Sequence, residues 1–313
     1  MSEYSFPFAT RPLVIAHRGA CGVLPEQTLE SFDLAIQQGA NAMEFDVVPT
    51  RDGKLLVRHE SELSLTTDVA DRPEFASRRR ARASGETADW FADEFTSAEL
   101  RTLRARQRFP FRDHSYDDQF ALVTLDQVLD WRSRQERPVP LFIEIKHPAH
   151  FARLGFDMAD LLLETLASRA VTGIFIKSFE SHILRDLHAS SDLPLVQLLE
   201  SGPIALAEIA RYATGISVWK RLIVPTVGDE IDGASAAALR LSGPTTLVRD
   251  AHVAGLFVAA WTFRDEAQFL AADFAGNPAK EYAQFFDLGV DAVISDFPAT
   301  AIAARGGKIG RSD

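Results

Sequence analysis

Short aliphatic and β-branched runs alternate along the chain with longer stretches in which apolar residues recur every three to four positions. The runs lie at 13–16, 42–48, 141–145, 173–176, 195–199, 215–218, 256–261 and 292–295. Several are apolar almost throughout, as expected of strands covered on both faces of a parallel sheet. The stretches between them carry helix signals. Thr28 precedes Leu29, Phe32, Ala35 and Ile36, which share one helical face, and Gly39 follows them. Thr96 with Glu99, and Thr124 with Gln127, read as capping boxes. Eight strands alternating with helices predict an α/β fold, a closed (β/α)8 TIM barrel rather than an open doubly wound sheet. One segment breaks the rhythm. Residues 61–120 are charged, Arg-rich and without strand runs. They are expected to form a small insertion above the barrel, after the second strand's hairpin, within a single domain spanning 1–313. The run Arg78, Arg79, Arg80, Arg82 inside it reads first as a solvated helix face, with phosphate or lipid-headgroup binding as the alternative.

Composition narrows the partners. The 313 residues are 46% hydrophobic, enough to bury a large core, and 33 Lys and Arg against 44 Asp and Glu leave a net charge of −11. Such a field repels nucleic acid and anionic membrane, yet a bound cation can invert it in one cleft for an anionic substrate. The single cysteine, Cys21, excludes an intramolecular disulfide and a multi-thiolate metal site. No run approaches the roughly 18 apolar residues of a membrane span, and the first twelve residues lack a signal-peptide core. The expectation is cytoplasmic residence without membrane insertion, or periplasmic or secreted residence if a leader has been removed. Nothing in the sequence indicates an oligomeric state.

The chemistry gathers at the strand ends, where barrels of this type place their sites. Glu44 and Asp46 are two residues apart on the second strand, so both carboxylates share one face. Glu144, on the next strand, brings a third. Acids that close resist joint ionisation unless a cation sits between them, and an all-oxygen cage suits a hard ion, Ca²⁺ or Mg²⁺. The plainer alternative is that Glu44 or Glu144 forms an ordinary buried salt bridge with Arg18 or Lys146. After the second strand, Thr50-Arg51-Asp52-Gly53 signals a hairpin; centring its turn on Asp52-Gly53 sets His59 opposite Asp46. His17, ending the first strand, approaches from the other side. Two imidazoles beside three carboxylates fit acid–base catalysis. Arg18 and Lys146 suit an anion, one as a planar fork and the other as a point charge. Gly19 and Gly22 read as places where backbone approaches a ligand.

At these residues the sequence resembles the glycerophosphodiester phosphodiesterases. The matching segments are Ala16-His17-Arg18-Gly19, Pro25-Glu26-Gln27-Thr28, Met43-Glu44-Phe45-Asp46-Val47 and Thr50-Arg51-Asp52-Gly53. They continue with His59, Ile143-Glu144-Ile145-Lys146, Ser178-Phe179-Glu180, Trp261-Thr262-Phe263, Gly289-Val290-Asp291 and Ser295-Asp296-Phe297-Pro298. Thr66-Thr67-Asp68-Val69 and the long insertion resemble the branch whose better-known members are periplasmic and calcium-dependent. The resemblance implies hydrolysis of a small glycerophosphodiester to sn-glycerol 3-phosphate and an alcohol. It implies His17 and His59 as acid and base, and Glu44, Asp46 and Glu144 as ligands of one divalent cation, Ca²⁺ ahead of Mg²⁺. It further implies Arg18 and Lys146 as phosphate contacts and Trp261 as a wall of the substrate pocket. Two positions depart from the family pattern: Gln27 stands where Asn or His is usual, and Glu60 where Asp usually follows the second histidine. Attack by the substrate's own hydroxyl or by water stays open, as do the Ca²⁺ or Mg²⁺ choice and the leaving alcohol. The rival readings are a lysophospholipase D-like enzyme, which needs an apolar groove at the site, and a non-catalytic phosphate-binding barrel.

Overall fold

The computed structural model describes residues 11–82, 87–167, 169, 172–227 and 239–306. Its strands are β1 (Leu13–His17), β2 (Ala42–Pro49), β3 (Leu55–Val57), β4 (Leu141–Ile145), β5 (Ile174–Ser178), β6 (Leu195–Leu199), β7 (Gly215–Trp219), β8 (Thr226–Val227), β9 (Arg240–Leu241), β10 (Phe257–Phe263) and β11 (Ala292–Ser295). β8 and β9 pair only with each other, and β3 is the antiparallel return of a hairpin from β2. The other eight are parallel and close into a barrel, because β1 pairs with both β2 and β11. Each of the eight hydrophobic runs has become one of these strands. The helices form where their caps predict. In the helix Leu29–Gln37, Thr28 Oγ1 accepts from the Ser31 amide at 3.2 Å, and Ser31 Oγ accepts from the Thr28 amide at 3.3 Å. Glu99 Oε2 accepts from the Thr96 amide at 2.8 Å, and Gln127 Oε1 from the Thr124 amide at 3.0 Å.

Strand alternation explains where the polar ends point. In β2, Met43, Phe45 and Val47 pack into the layer between strands and helices, whereas Ala42 joins the cluster filling the barrel lumen. Glu44 and Asp46 are in step with Ala42, so they continue the lumen row toward the C-terminal mouth. β4 repeats this with Phe142 then Glu144, β5 with Phe175 then Lys177, and β1 with Ile15 then His17. The lumen floor is aromatic. Phe142 stacks on Phe175 at 4.6 Å, and Phe175 meets Phe257 edge-on at 6.4 Å. Gly215 is required beside them, since a Cβ there would lie 2.4 Å from the Phe257 ring. Burying each such ring contributes about 1.5–3 kcal/mol.

The hairpin register differs from expectation by one residue. Val47 pairs with Val57 and Pro49 with Leu55, so Arg58 stands opposite Asp46, its amide donating to the Asp46 carbonyl at 2.9 Å. The cause is the loop. The Thr50 amide bonds the Lys54 carbonyl and Gly53 has φ +71°, which makes a three-residue loop over 51–53 with glycine in the left-handed region. His59 lies just beyond β3, where the chain has left the ladder and is free to turn toward the mouth.

Within 61–120 the chain forms short 3₁₀ turns, one short helix (Ser97–Leu100) and isolated bridges such as Thr67 to Ala105. The arginine run is not a solvated helix face. Arg78 bonds Glu99 at 2.5 Å with its guanidinium 4.6 Å from the Phe95 ring centre, and Arg80 bonds Glu94. Arg79 lies over Trp90, and Arg82 bonds Asp93 at 2.5 Å and sits 3.8 Å over Phe91. These cations cross-link the segment over its buried aromatic side chains, Phe75, Trp90, Phe91 and Phe95.

Candidate active site

The C-terminal mouth opens into a cavity of about 890 Å³ lined by His17, Arg18, Glu44, His59, Glu144, Lys146, Lys177 and Trp261, among others. Asp46 lies beneath it, almost fully buried. The candidate catalytic, metal-ligating and substrate-binding residues are therefore at or just below one cavity.

The three carboxylates converge. Glu44, Asp46 and Glu144 each offer an oxygen within 4.8 Å of the others. Each also meets a cation: Lys177 Nζ lies 2.7 Å from Glu44, Lys146 Nζ 2.7 Å from Glu144, and Arg18 Nε 3.2 Å from Asp46. The salt-bridge alternative is thus present beside the cage. The formal charges match, yet Glu44 is not fully stabilised as an anion. Burial, with Asp46 and Glu144 adding to it, pushes the Glu44 carboxyl up to about 7 in spite of Lys177. Burial also works to raise Asp46, but Arg18 and the neighbouring His59, Lys146 and Lys177 reverse this and hold it well below the usual carboxylate range. Glu44 Oε2 is buried without a hydrogen-bond partner. An oxygen-only donor set with one unsatisfied buried oxygen, on an acid that Lys177 compensates only in part, fits a hard divalent cation.

Both imidazoles are backed by carboxylates. His17 Nδ1 lies 2.6 Å from Asp296 Oδ1, and His59 Nδ1 lies 2.5 Å from Glu60 Oε1. Burial, with Arg18 adding, pushes His17 down to about 4, so it is neutral near pH 7. Its Nδ1 hydrogen then goes to Asp296, and Nε2, 4.0 Å from Glu44, carries the free lone pair. His59 Nε2 is 3.1 Å from Lys146 Nζ. Trp261 lines the wall with its Nε1 buried and without a partner among the described residues, and Phe179 meets it edge-on at 5.9 Å.

The loop after β1 is held in a costly shape. Arg18 (φ 56°) and Gln27 (φ 61°) both occupy the left-handed region that non-glycine residues avoid. Gln27 is fixed from both ends, donating to Asp46 Oδ2 at 2.8 Å and accepting from the Asp46 amide at 3.1 Å. The glycines here face protein rather than ligand. A Cβ on Gly19 would come 2.2 Å from Ser31 Oγ, and one on Gly22 would enter the Phe297 ring at 2.3 Å. Cys21 is buried and burial pushes its thiol up, which leaves it a protonated packing residue.

Several groups escaped sequence reasoning. Asp296 orients His17, and Arg112 and Arg264 bond Asp296 at 2.6 and 2.9 Å. Glu60, noted only as a departure from the family pattern, holds His59 directly. Lys177 was visible only as a charge ending an apolar strand. Arg108, which bonds Glu26 and Glu60, had no distinguishing signal in an arginine-rich segment. Conversely, two strand-end groups turn away from the chemistry. Gln197 bonds the Ser178 carbonyl and Tyr212, and Lys220 bonds Glu281 at 2.7 Å.

A closed parallel barrel with acids, imidazoles and anion-binding cations gathered at its C-terminal mouth defines an enzyme of the TIM-barrel architecture. Comparison with known proteins narrows this. The sequence profile of the glycerophosphoryl diester phosphodiesterase family matches residues 17–300. The chain belongs to that family. Glycerophosphodiester phosphodiesterase GDPD6 of Arabidopsis thaliana is 34% identical over 92% of this chain and 84% of its own length. Glycerophosphodiester phosphodiesterase of Haemophilus influenzae is 25% identical over 93% and 88%. Among solved structures, an Oleispira antarctica phosphodiesterase in complex with the product sn-glycerol-3-phosphate shares the fold. Its TM-score is 0.66, with 24% identity over 94% of this chain and 96% of that one.

Proposed function

We propose that this chain hydrolyses glycerophosphodiesters to sn-glycerol 3-phosphate and an alcohol by two-histidine acid–base catalysis, as one barrel domain with 61–120 inserted in it. The observation that carries the reading is that two carboxylate-backed imidazoles, His17 on Asp296 and His59 on Glu60, line one cavity above three converging acids. The physical problem is charge: a phosphodiester repels a nucleophile, and negative charge builds on the leaving oxygen. Arg18 offers a fork and Lys146 a point charge for phosphate oxygens. His17, neutral with Nε2 open, accepts the proton of the nucleophile; His59 protonates the leaving alkoxide. Glu44, Asp46 and Glu144 would hold one divalent cation, Ca²⁺ ahead of Mg²⁺, which when bound supplies positive charge to the phosphate. Trp261 packs against the glycerol or alcohol moiety.

The test is glycerol 3-phosphate release from a panel of glycerophosphodiesters and lysophospholipids, with and without chelator. Release from glycerophosphodiesters that chelator abolishes supports the reading; no release from any of them, with divalent cation supplied, overturns it. A second reading has one observation in its favour. Leu65, Phe109 and Phe179 line the cavity, and Leu65 and Phe179 are exposed, which is the apolar surface a lysophospholipase D-like enzyme needs. Faster turnover of the lysophospholipids would select it.

A further inference from the structure

One short stretch of the 61–120 segment reaches the support of both histidines. Arg108 lies four residues before Arg112, and both are largely buried. Arg108 bridges two acids with its fork: Nε and Nη2 bond Glu26 at 2.7 Å each, while Nη1 and Nη2 bond Glu60 at 2.8 and 2.6 Å. Glu60 holds His59 Nδ1 at 2.5 Å, and Glu26 accepts from Arg18 at 3.3 Å. Arg112 bonds Asp296 Oδ2 at 2.6 Å, and the other oxygen of that carboxylate holds His17. Just before them, Gln107 Nε2 donates to the Cys21 carbonyl at 3.1 Å and pins the stretch to the loop after His17 and Arg18.

We infer that Arg108 and Arg112 are positioning residues that fix the two acid–base histidines relative to each other, Arg108 through Glu60 and Arg112 through Asp296. The inference rests on the two-histidine reading above. Its physical basis is that His17 ends β1 and His59 lies beyond β3, and the two strands are paired with β2 between them rather than with each other. Arg108 makes a bidentate pair with each of Glu26 and Glu60, which fixes direction as well as distance, while Arg112 anchors Asp296 by a single bond beside that of Arg264. An imidazole displaced by about 1 Å costs roughly a hundredfold in rate. The longer Glu60, where the family pattern has Asp, is what bridges His59 and Arg108.

The experiment measures kcat and KM on glycerophosphocholine and on a nitrophenyl phosphodiester, with divalent cation present. The variants are Arg108→Met, Arg112→Met and Arg78→Met, the first two also in His59→Ala and His17→Ala backgrounds. Arg108→Met is expected to lower kcat roughly a hundredfold with a smaller change in KM, and to cost much less once His59 is gone. Arg112→Met should behave the same way toward His17. Arg78→Met, which loosens the same segment away from both acids, should lower Tm and leave kcat near wild type. Wild-type kcat in Arg108→Met, or an equal loss with and without His59, overturns the inference. If Arg108→Met does not fold, Arg108→Lys keeps the charge and loses the fork, and the same comparison of backgrounds decides. Wild-type activity in His59→Ala would instead sink the two-histidine reading itself.

Discussion

The floor and the mouth of the barrel lumen are built by the same strands, in the same alternation, to opposite ends. At the floor, Phe142, Phe175 and Phe257 interlock in an apolar cluster with Ile15, Val196 and Ile294. Two residues further along, Glu144 and Lys177 stand over the rings, with Glu44 and Asp46 alongside. The floor is stable because its surfaces are apolar and close-packed. The mouth carries acids buried against one another, one of them held at about pH 7. The difference teaches that one strand can divide its labour by depth: stability comes from the lower half, and the upper half bears an electrostatic cost that Lys177, Lys146 and Arg18 relieve only in part.

Substitutions should separate the two halves. The largest effects belong to the mouth. His17→Ala and His59→Ala should each lower kcat by about 10²–10⁴-fold with nearly unchanged Tm, and the double variant should fall short of the product of the two. A nitrophenyl leaving group needs little protonation, so it should rescue His59→Ala and not His17→Ala; equal rescue would undo the assigned roles. Phe142→Ala, one step below Glu144, should destabilise by about 3–5 kcal/mol in urea unfolding while the folded fraction keeps its KM. A collapse of kcat there without loss of stability would erase the division by depth. Arg18→Lys should cost kcat/KM about tenfold through the lost fork, with unfolding unaltered.

The finest test is protonic. In the cation-free protein Glu44 titrates near 7 against 4.5 when unfolded, so the folded state holds its proton through that window. Its contribution to stability is full below about 4.5 and is lost as pH rises through 7. His17 has the opposite sign. Lowered from 6.5 to about 4, it makes the fold weaker as pH falls through that range. A divalent cation must displace the Glu44 proton. Calorimetry in buffers of different ionisation enthalpy should therefore show up to about one proton released per ion near pH 6, and less above pH 8. Proton release independent of pH would place the cation elsewhere or remove it from the cage.

Much of this was legible in the residues themselves, and the reason is periodicity. Alternating apolar runs and capping boxes are local, so they specified eight strands and the helices capped by Thr28 and Thr124 without knowledge of the fold. Glu44 and Asp46 were readable as one face because spacing along a strand determines direction, and His17 because it ends one. The hairpin register was not. A three-residue loop with Gly53 in the left-handed region and a two-residue turn over Asp52-Gly53 are written almost alike, and one residue separates Arg58 from His59 opposite Asp46. The arginine run was legible as charge and illegible as structure, since its partners Glu94, Asp93, Glu99, Phe91 and Phe95 are found only by folding. Long-range pairings likewise belong to the tertiary structure alone. Asp296 reaches His17 across 279 positions only because the last barrel strand closes against the first, and Arg108 reaches Glu26 across 82 only because the 61–120 segment folds back to the mouth. The sequence by itself determined the barrel and the groups that end its strands, because both follow from the period of the chain. Only the tertiary structure decided which carboxylate holds each imidazole, because that depends on barrel closure and on the path of a segment without a period.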